Sequence, residues 1–155
     1  MNNLLIGDKT LFAIKLAIDK DFVSVTIFCD SVELGDNNEY AQLKTFTSLI
    51  ENKISTYNYK LAGEINHLDK DAIYSYVVNG YESAENWMES QRLESLWITL
   101  NLAPSLDGET VILLSTNLFD RVIWKGFNSN DVSEMFLPAG YVFMQFESLL
   151  NSFSN

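Results

Sequence analysis

Phe12, Ile14, Leu16 and Ile18 alternate with Ala13, Lys15 and Ala17, the period of a strand with one face buried. Asp19-Lys20-Asp21 follows as a turn. Residues 22–29 are rich in β-branched and aromatic side chains (Val23, Val25, Thr26, Ile27, Phe28), and Asp30-Ser31 separates them from a short strand at 32–34. The opening third therefore predicts a three-stranded antiparallel meander. From Tyr40 onward the apolar residues Leu43, Phe46, Ile50 and Ile54 recur at helical spacing, with Lys44, Ser48, Glu51 and Lys53 between them. This is the clearest helix of the chain.

Asp69 is placed to cap a second helix, with Ala72, Ile73, Tyr76 and Val77 on its inner side and Asn79-Gly80 as its close. A third helix is expected over residues 82–93, which would set Glu82, Glu85 and Glu89 on one face and leave Trp87 among polar neighbours. Residues 96–102 and 110–114 flank Pro104-Ser105-Leu106-Asp107-Gly108, whose Asp-Gly ending signals a loop and hairpin. With a turn at 117–120 and a third strand at 121–125, they predict a second meander. Pro138 and Gly140 break the chain again, and Val142, Phe146, Leu149, Leu150 and Phe153 then trace a C-terminal amphipathic helix. The fold class implied is α+β: antiparallel β-sheet built from two meanders, packed against amphipathic helices that include the C-terminal one. No linker or repeat interrupts residues 1–155, so one domain is expected.

Composition changes the picture mainly through charge. Twenty-one acidic residues face ten basic ones, for a formal net charge of −11, so a phosphate backbone would meet long-range repulsion and nucleic acid is not expected as a direct ligand. Such an excess of acid serves either solubility or the attraction of a basic protein partner. The solitary Cys29 excludes an intramolecular disulfide and predicts a buried structural thiol in a reducing compartment. Residues 1–20 lack a basic n-region and Lys15 interrupts the apolar stretch at 11–18, so neither a signal peptide nor a membrane span is expected, and residence is predicted to be cytoplasmic.

Catalytic chemistry finds little support. A Ser-His or Cys-His pair needs a base, and the only histidine, His67, stands just before a predicted helix where capping or exposure accounts for it. No His pair, Cys pair, calcium-binding loop or Gly-rich phosphate loop occurs, so no metal or cofactor is expected. Paired carboxylates of the glycosidase type are the one enzymatic option left, and nothing singles out a pair. Two acidic stretches are more informative. Asp30, Glu33, Asp36 and Glu39 lie in a segment without bases, and Glu82, Glu85 and Glu89 lie in another that ends at Arg92. Tyr40, Tyr81 and Trp87 are interleaved with them, the aromatic types that anchor the desolvated centre of a protein interface within a polar rim. The expected partner-binding residues are thus Glu82, Glu85, Trp87 and Glu89, with Asp30, Glu33, Asp36 and Glu39, while Trp97 and Trp124 fall in strand patterns and are expected in the core.

Leu5-Ile6-Gly7-Asp8, then Phe12-Ala13-Ile14, then Leu34-Gly35-Asp36 resemble, in order and spacing, the opening of the immunity protein 42 family of bacterial polymorphic toxin systems. Arg121-Val122-Ile123-Trp124, the following Glu134 and the closing helix are also similar to that family's layout, whereas residues 55–66 match no feature of it. The resemblance implies a protein that neutralises a cognate toxin by binding it, without a catalytic motif to carry over. A basic nuclease is the toxin type that an acidic inhibitor suits, and an adaptor or chaperone for a secreted effector is the alternative. Gly7, Asp8, Gly35 and Asp36 are expected to fix turns, since Gly permits positive φ and Asp bonds nearby amides.

Overall fold

The computed structural model describes residues 2–36 and 38–154. The opening alternation forms a meander of four antiparallel strands, β1 (Asn2–Gly7), β2 (Phe12–Asp19), β3 (Phe22–Cys29) and β4 (Val32–Leu34), in that spatial order. Cross-strand pairs Phe12↔Cys29, Ile14↔Ile27, Leu16↔Val25 and Ile18↔Val23 put the larger apolar side chains on one face, as the period of two requires. A two-residue strand, β5 (Ala41–Gln42), joins the same edge of β3 as β4 does. Val25 lies in the gap between them, and its exposed peptide edge is filled from far along the chain. Its N–H donates to Ser105 Oγ at 3.1 Å, and that hydroxyl donates to the Val25 carbonyl at 2.8 Å.

Five α-helices are found among the described residues: α1 (Leu43–Ser55), α2 (Tyr59–Ile65), α3 (Lys70–Glu82), α4 (Trp87–Glu94) and α5 (Tyr141–Phe153). A 3₁₀ turn at Pro104–Leu106 leads into a second antiparallel sheet, β6 (Thr110–Ser115), β7 (Phe119–Lys125) and β8 (Ser133–Pro138). The α+β class, the antiparallel meanders and the C-terminal helix are as the sequence predicts, and the two meanders remain two separate sheets. Helices α1 and α5 pack together and onto the first sheet, where Phe12 meets Phe146 with ring centroids 6.2 Å apart.

The departures have physical causes. The segment 96–102 is not a strand: the Trp97↔Ile112 bridge is flanked by the bonds Ile98 N–H to Val111 and Leu113 N–H to Leu96, after which the chain turns, with Asn101 at φ 58°. Thr99 takes over the pairing with its hydroxyl, which accepts from Val111 N–H and donates to the Glu109 carbonyl. The third strand of the second meander is instead β8. Asp120 belongs to β7 rather than to a turn, and it is fully buried. Its carboxylate accepts from Ser115 Oγ at 2.7 Å and from the N–H groups of Gly140 and Val142, both at 3.0 Å, so it caps α5, whose own N-cap, Gly140, has no side chain. Helix α3 runs through Gly80 to Glu82, because Gly80 does not end the helix but admits a neighbour: a Cβ there would lie 2.9 Å from Leu93 Cδ1.

Candidate partner-binding surface

The stretch expected as one helix over 82–93 is two. Helix α3 closes at Ser83, and Asn86 takes an extended conformation from which its Oδ1 accepts the Glu89 N–H at 2.9 Å, starting α4 anew. Asn competes with helix hydrogen bonding in this way, which is why it favours caps over helix interiors. Glu82, Glu85 and Glu89 therefore do not share a helix face: one ends α3, one lies in the link and one stands in the first turn of α4. All three are exposed, and none takes part in an ion pair among the described residues. The restart also throws two large apolar side chains outward, Trp87 at 70% exposure and Met88 at 76%. Tyr81, by contrast, is half-buried, edge-on to Trp97 with centroids 5.7 Å apart, so it packs against the core and is less available than Trp87.

Trp87 and Met88 stand at a groove of about 500 Å³ between α1 and α4. Leu49, Asn52 and Lys53 line its α1 side, and Arg92 continues the α4 side one turn on from Met88. Lys53 is only 6% exposed, contrary to its expected polar position. It follows Phe46 and Ile50 on the inner stripe of α1, so helical geometry carries it inward. Its Nζ donates to the Trp97 carbonyl at 3.1 Å, and burial pulls its pKa down to about 8, partly opposed by Glu94. Met88 and Lys53 were absent from the expected partner residues. The i, i+4 pairing of Met88 with Arg92 beside Trp87 was the available signal for the first, and the 46–50–53 spacing for the second.

The other acidic stretch sits on the first sheet, at the β3–β4 hairpin and beyond it, and so on different elements from α3 and α4. Glu33 pairs with Lys15 at 3.2 Å, and Lys9 and Lys15 lie over the Phe28 ring. Asp36 is occupied in a turn, its Oδ1 accepting the Asn38 N–H at 2.9 Å. Asp30 and Glu39 are exposed. This hairpin is thus more internally satisfied than the α3–α4 surface. His67 is exposed before α3, Asp69 caps that helix as expected, and Cys29 is fully buried, which raises its thiol pKa well above the ordinary range. Among the described residues no three His, Cys, Asp or Glu side chains gather to hold a metal ion, and no helix is long and apolar enough to cross a membrane.

Residues 4–152 match the family described as immunity protein 42. The chain belongs to that family. A crystal structure of CdiI from Burkholderia dolosa AUO158 shares the fold, with a TM-score of 0.67 over 96% of this chain and 99% of that one, at 16% identity. No curated protein matches the chain. The residues that carry the likeness to the immunity protein 42 family do structural work here. Gly7 has φ 97° and Asp8 Oδ1 accepts both the N–H and the hydroxyl of Thr10, which lowers the Asp8 pKa. Gly35 has φ 121°, and a Cβ on it would lie 3.0 Å from the Val25 carbonyl oxygen. Arg121, nearly buried, donates to Glu134 at 2.8 Å and to the carbonyls of Asn66 and Leu68 at 2.9 Å, so this immunity protein 42 chain pins its α2–α3 link to the second sheet.

Proposed function

We propose that this chain is a cytoplasmic, single-domain immunity protein that neutralises its cognate toxin by binding it, without turning over a substrate. Membership of the immunity protein 42 family over residues 4–152 is the observation that carries this reading. The α3–α4 surface is its best-supported contact: Trp87 and Met88 are uncovered, and Glu82, Glu85 and Glu89 around them have no cationic partner among the described residues. Exposed aromatic anchors inside a charged rim are the composition of an interface centre. Asp30, Glu33, Asp36 and Glu39 form the second, less available candidate. A net charge of −11 suits a basic toxin, such as a nuclease whose phosphate-binding surface the acids would cover.

The test is co-expression with the toxin encoded beside its gene, joined to stopped-flow binding at several salt concentrations. Reversing Glu82, Glu85 and Glu89 to Lys is expected to slow association and flatten its salt dependence, while Trp87→Ala raises the dissociation rate, since rim charges act before encounter and anchors after it. Unchanged kinetics and full rescue in both would remove this surface from the interface and pass the role to the β3–β4 hairpin. A wild-type chain that neither binds nor protects would overturn the immunity reading.

A further inference from the structure

The charged side chains lining the α1–α4 groove are Lys53, Arg92 and Glu94, a net positive set on a chain of net charge −11. In a chain with 21 acidic residues, the Lys53 ammonium is buried in the groove wall with one hydrogen bond, to the Trp97 carbonyl at 3.1 Å, and no carboxylate of the described residues within ion-pair distance. An ammonium has three donors, so two are left without a protein partner among the described residues. Arg92, also lining the groove, donates among the described residues only to the Tyr76 hydroxyl, at 3.3 Å. Glu94, which also lines the groove, is the acid that acts on Lys53, and the Asn101 amide engages its carboxylate at 3.2 Å. Among the described residues the ion pairs are Lys15–Glu33 and Arg121–Glu134, both elsewhere. Desolvating an ammonium is unfavourable unless a counter-charge offsets it, and Glu94 offsets it only in part.

We propose that this groove is a carboxylate-accepting slot for an acidic side chain of the bound toxin, its carbon stem against Trp87, Met88 and Leu49 and its carboxylate on Lys53 and Arg92. This rests on the toxin-binding reading of the same surface. Both cations point to an anion supplied from outside, and the uncovered apolar rim points to one that arrives on a protein. An acidic rim around a cationic centre also fixes register, because a partner of uniformly basic charge would meet like charge at the groove.

Two measurements test it. In the free protein, NMR of the Trp87 indole and the Lys53 ammonium is followed as 3-phenylpropionate is added, against 3-phenylpropanol, which has the same ring without the charge. The acid is expected to saturate at least ten-fold more tightly than the alcohol and to lose that preference in K53M. Equal binding of the two, or no response in the groove, overturns the slot. In the complex, K53M and R92Q are each expected to speed toxin dissociation at least ten-fold. One Asp→Asn or Glu→Gln change in the toxin should then be non-additive with them. R92Q, at an exposed position, keeps this arm independent of any change in folding caused by K53M. Toxin binding by wild type that neither variant weakens overturns the slot and leaves the immunity reading intact. Coupling to the toxin's C-terminal carboxylate alone overturns the side chain as occupant. Wild type that fails to bind toxin overturns the occupant together with the immunity reading, and the phenylpropionate arm tells that failure apart from the absence of a slot.

Discussion

Replacing Lys53 with Met is expected to make the free protein more stable while weakening its complex. The fall of the Lys53 pKa from 10.5 to about 8 on burial is worth roughly 3 kcal/mol at about 1.36 kcal/mol per unit, all of it opposing the charged folded state at neutral pH. Methionine fits the same unbranched space and restores none of the hydrogen bond to the Trp97 carbonyl, a loss of about 1 kcal/mol. The net expectation at pH 7 is a gain of about 1–3 kcal/mol, within the range found when buried charges give way to apolar groups. The folded pKa lies below the unfolded one, so between about pH 8 and 10.5 the unfolded chain holds a proton that the folded chain has released. Wild-type stability therefore rises through this window on account of Lys53, and the advantage of K53M shrinks there. Cys29 and Tyr57, whose pKa values burial raises, act in the opposite direction, but they are common to both proteins and cancel in the difference. Urea unfolding of the two proteins at pH 7 and at about pH 10, with matching m-values, is the assay. A K53M protein less stable than wild type at pH 7, or a difference that stays constant across the window, would refute the reasoning.

Asp120→Asn places an amide against three donors that the carboxylate satisfied. It should cost about 3 kcal/mol, against about 1 kcal/mol for Ser115→Ala, both read by urea unfolding; equal effects would sink the idea of a remote cap. Gly35→Ala must adopt φ 121° with its Cβ at 3.0 Å from the Val25 oxygen. A loss of about 2–3 kcal/mol in thermal or urea unfolding is expected, and a neutral effect would mean that this turn relaxes freely.

What could be read from the sequence was what depends on local period. The alternation from Phe12 to Ile18 and the 3–4 spacing of Leu43, Phe46 and Ile50 each describe one face packed on one core, and both elements formed where expected. What stayed hidden depends on partners distant in sequence. In β1 only Leu4 and Ile6 reach the core while Leu5 is 45% exposed, a weak pattern at a sheet edge. The segment 96–102 has strand composition but spends it on a single bridge, because Thr99 closes the pairing with a side chain. Asp120 looked like a turn residue because its partners, Gly140 and Val142, follow some twenty positions later. At the candidate surface, Trp87 and its neighbouring acids were legible from composition. The groove was not, since it exists only where α4 restarts at Asn86 beside α1.

The Ser105 hydroxyl that completes the edge of β3 bridges residues 80 positions apart, and this sets a clock on biosynthesis. Hairpins β1–β2 and β2–β3 are local and are free to pair as soon as they emerge, yet the Val25 gap stays open until the ribosome has delivered the 3₁₀ turn. At roughly 5–20 residues per second, 80 residues take roughly 4–16 s. During that interval the Val25 N–H and carbonyl stay unpaired at the edge of an apolar strand, a template on which neighbouring nascent chains associate. The later arrival of one serine thus marks the moment at which the gap in the β3 edge is filled, so slow translation ahead of residue 105 should favour aggregation more than the same delay placed after it.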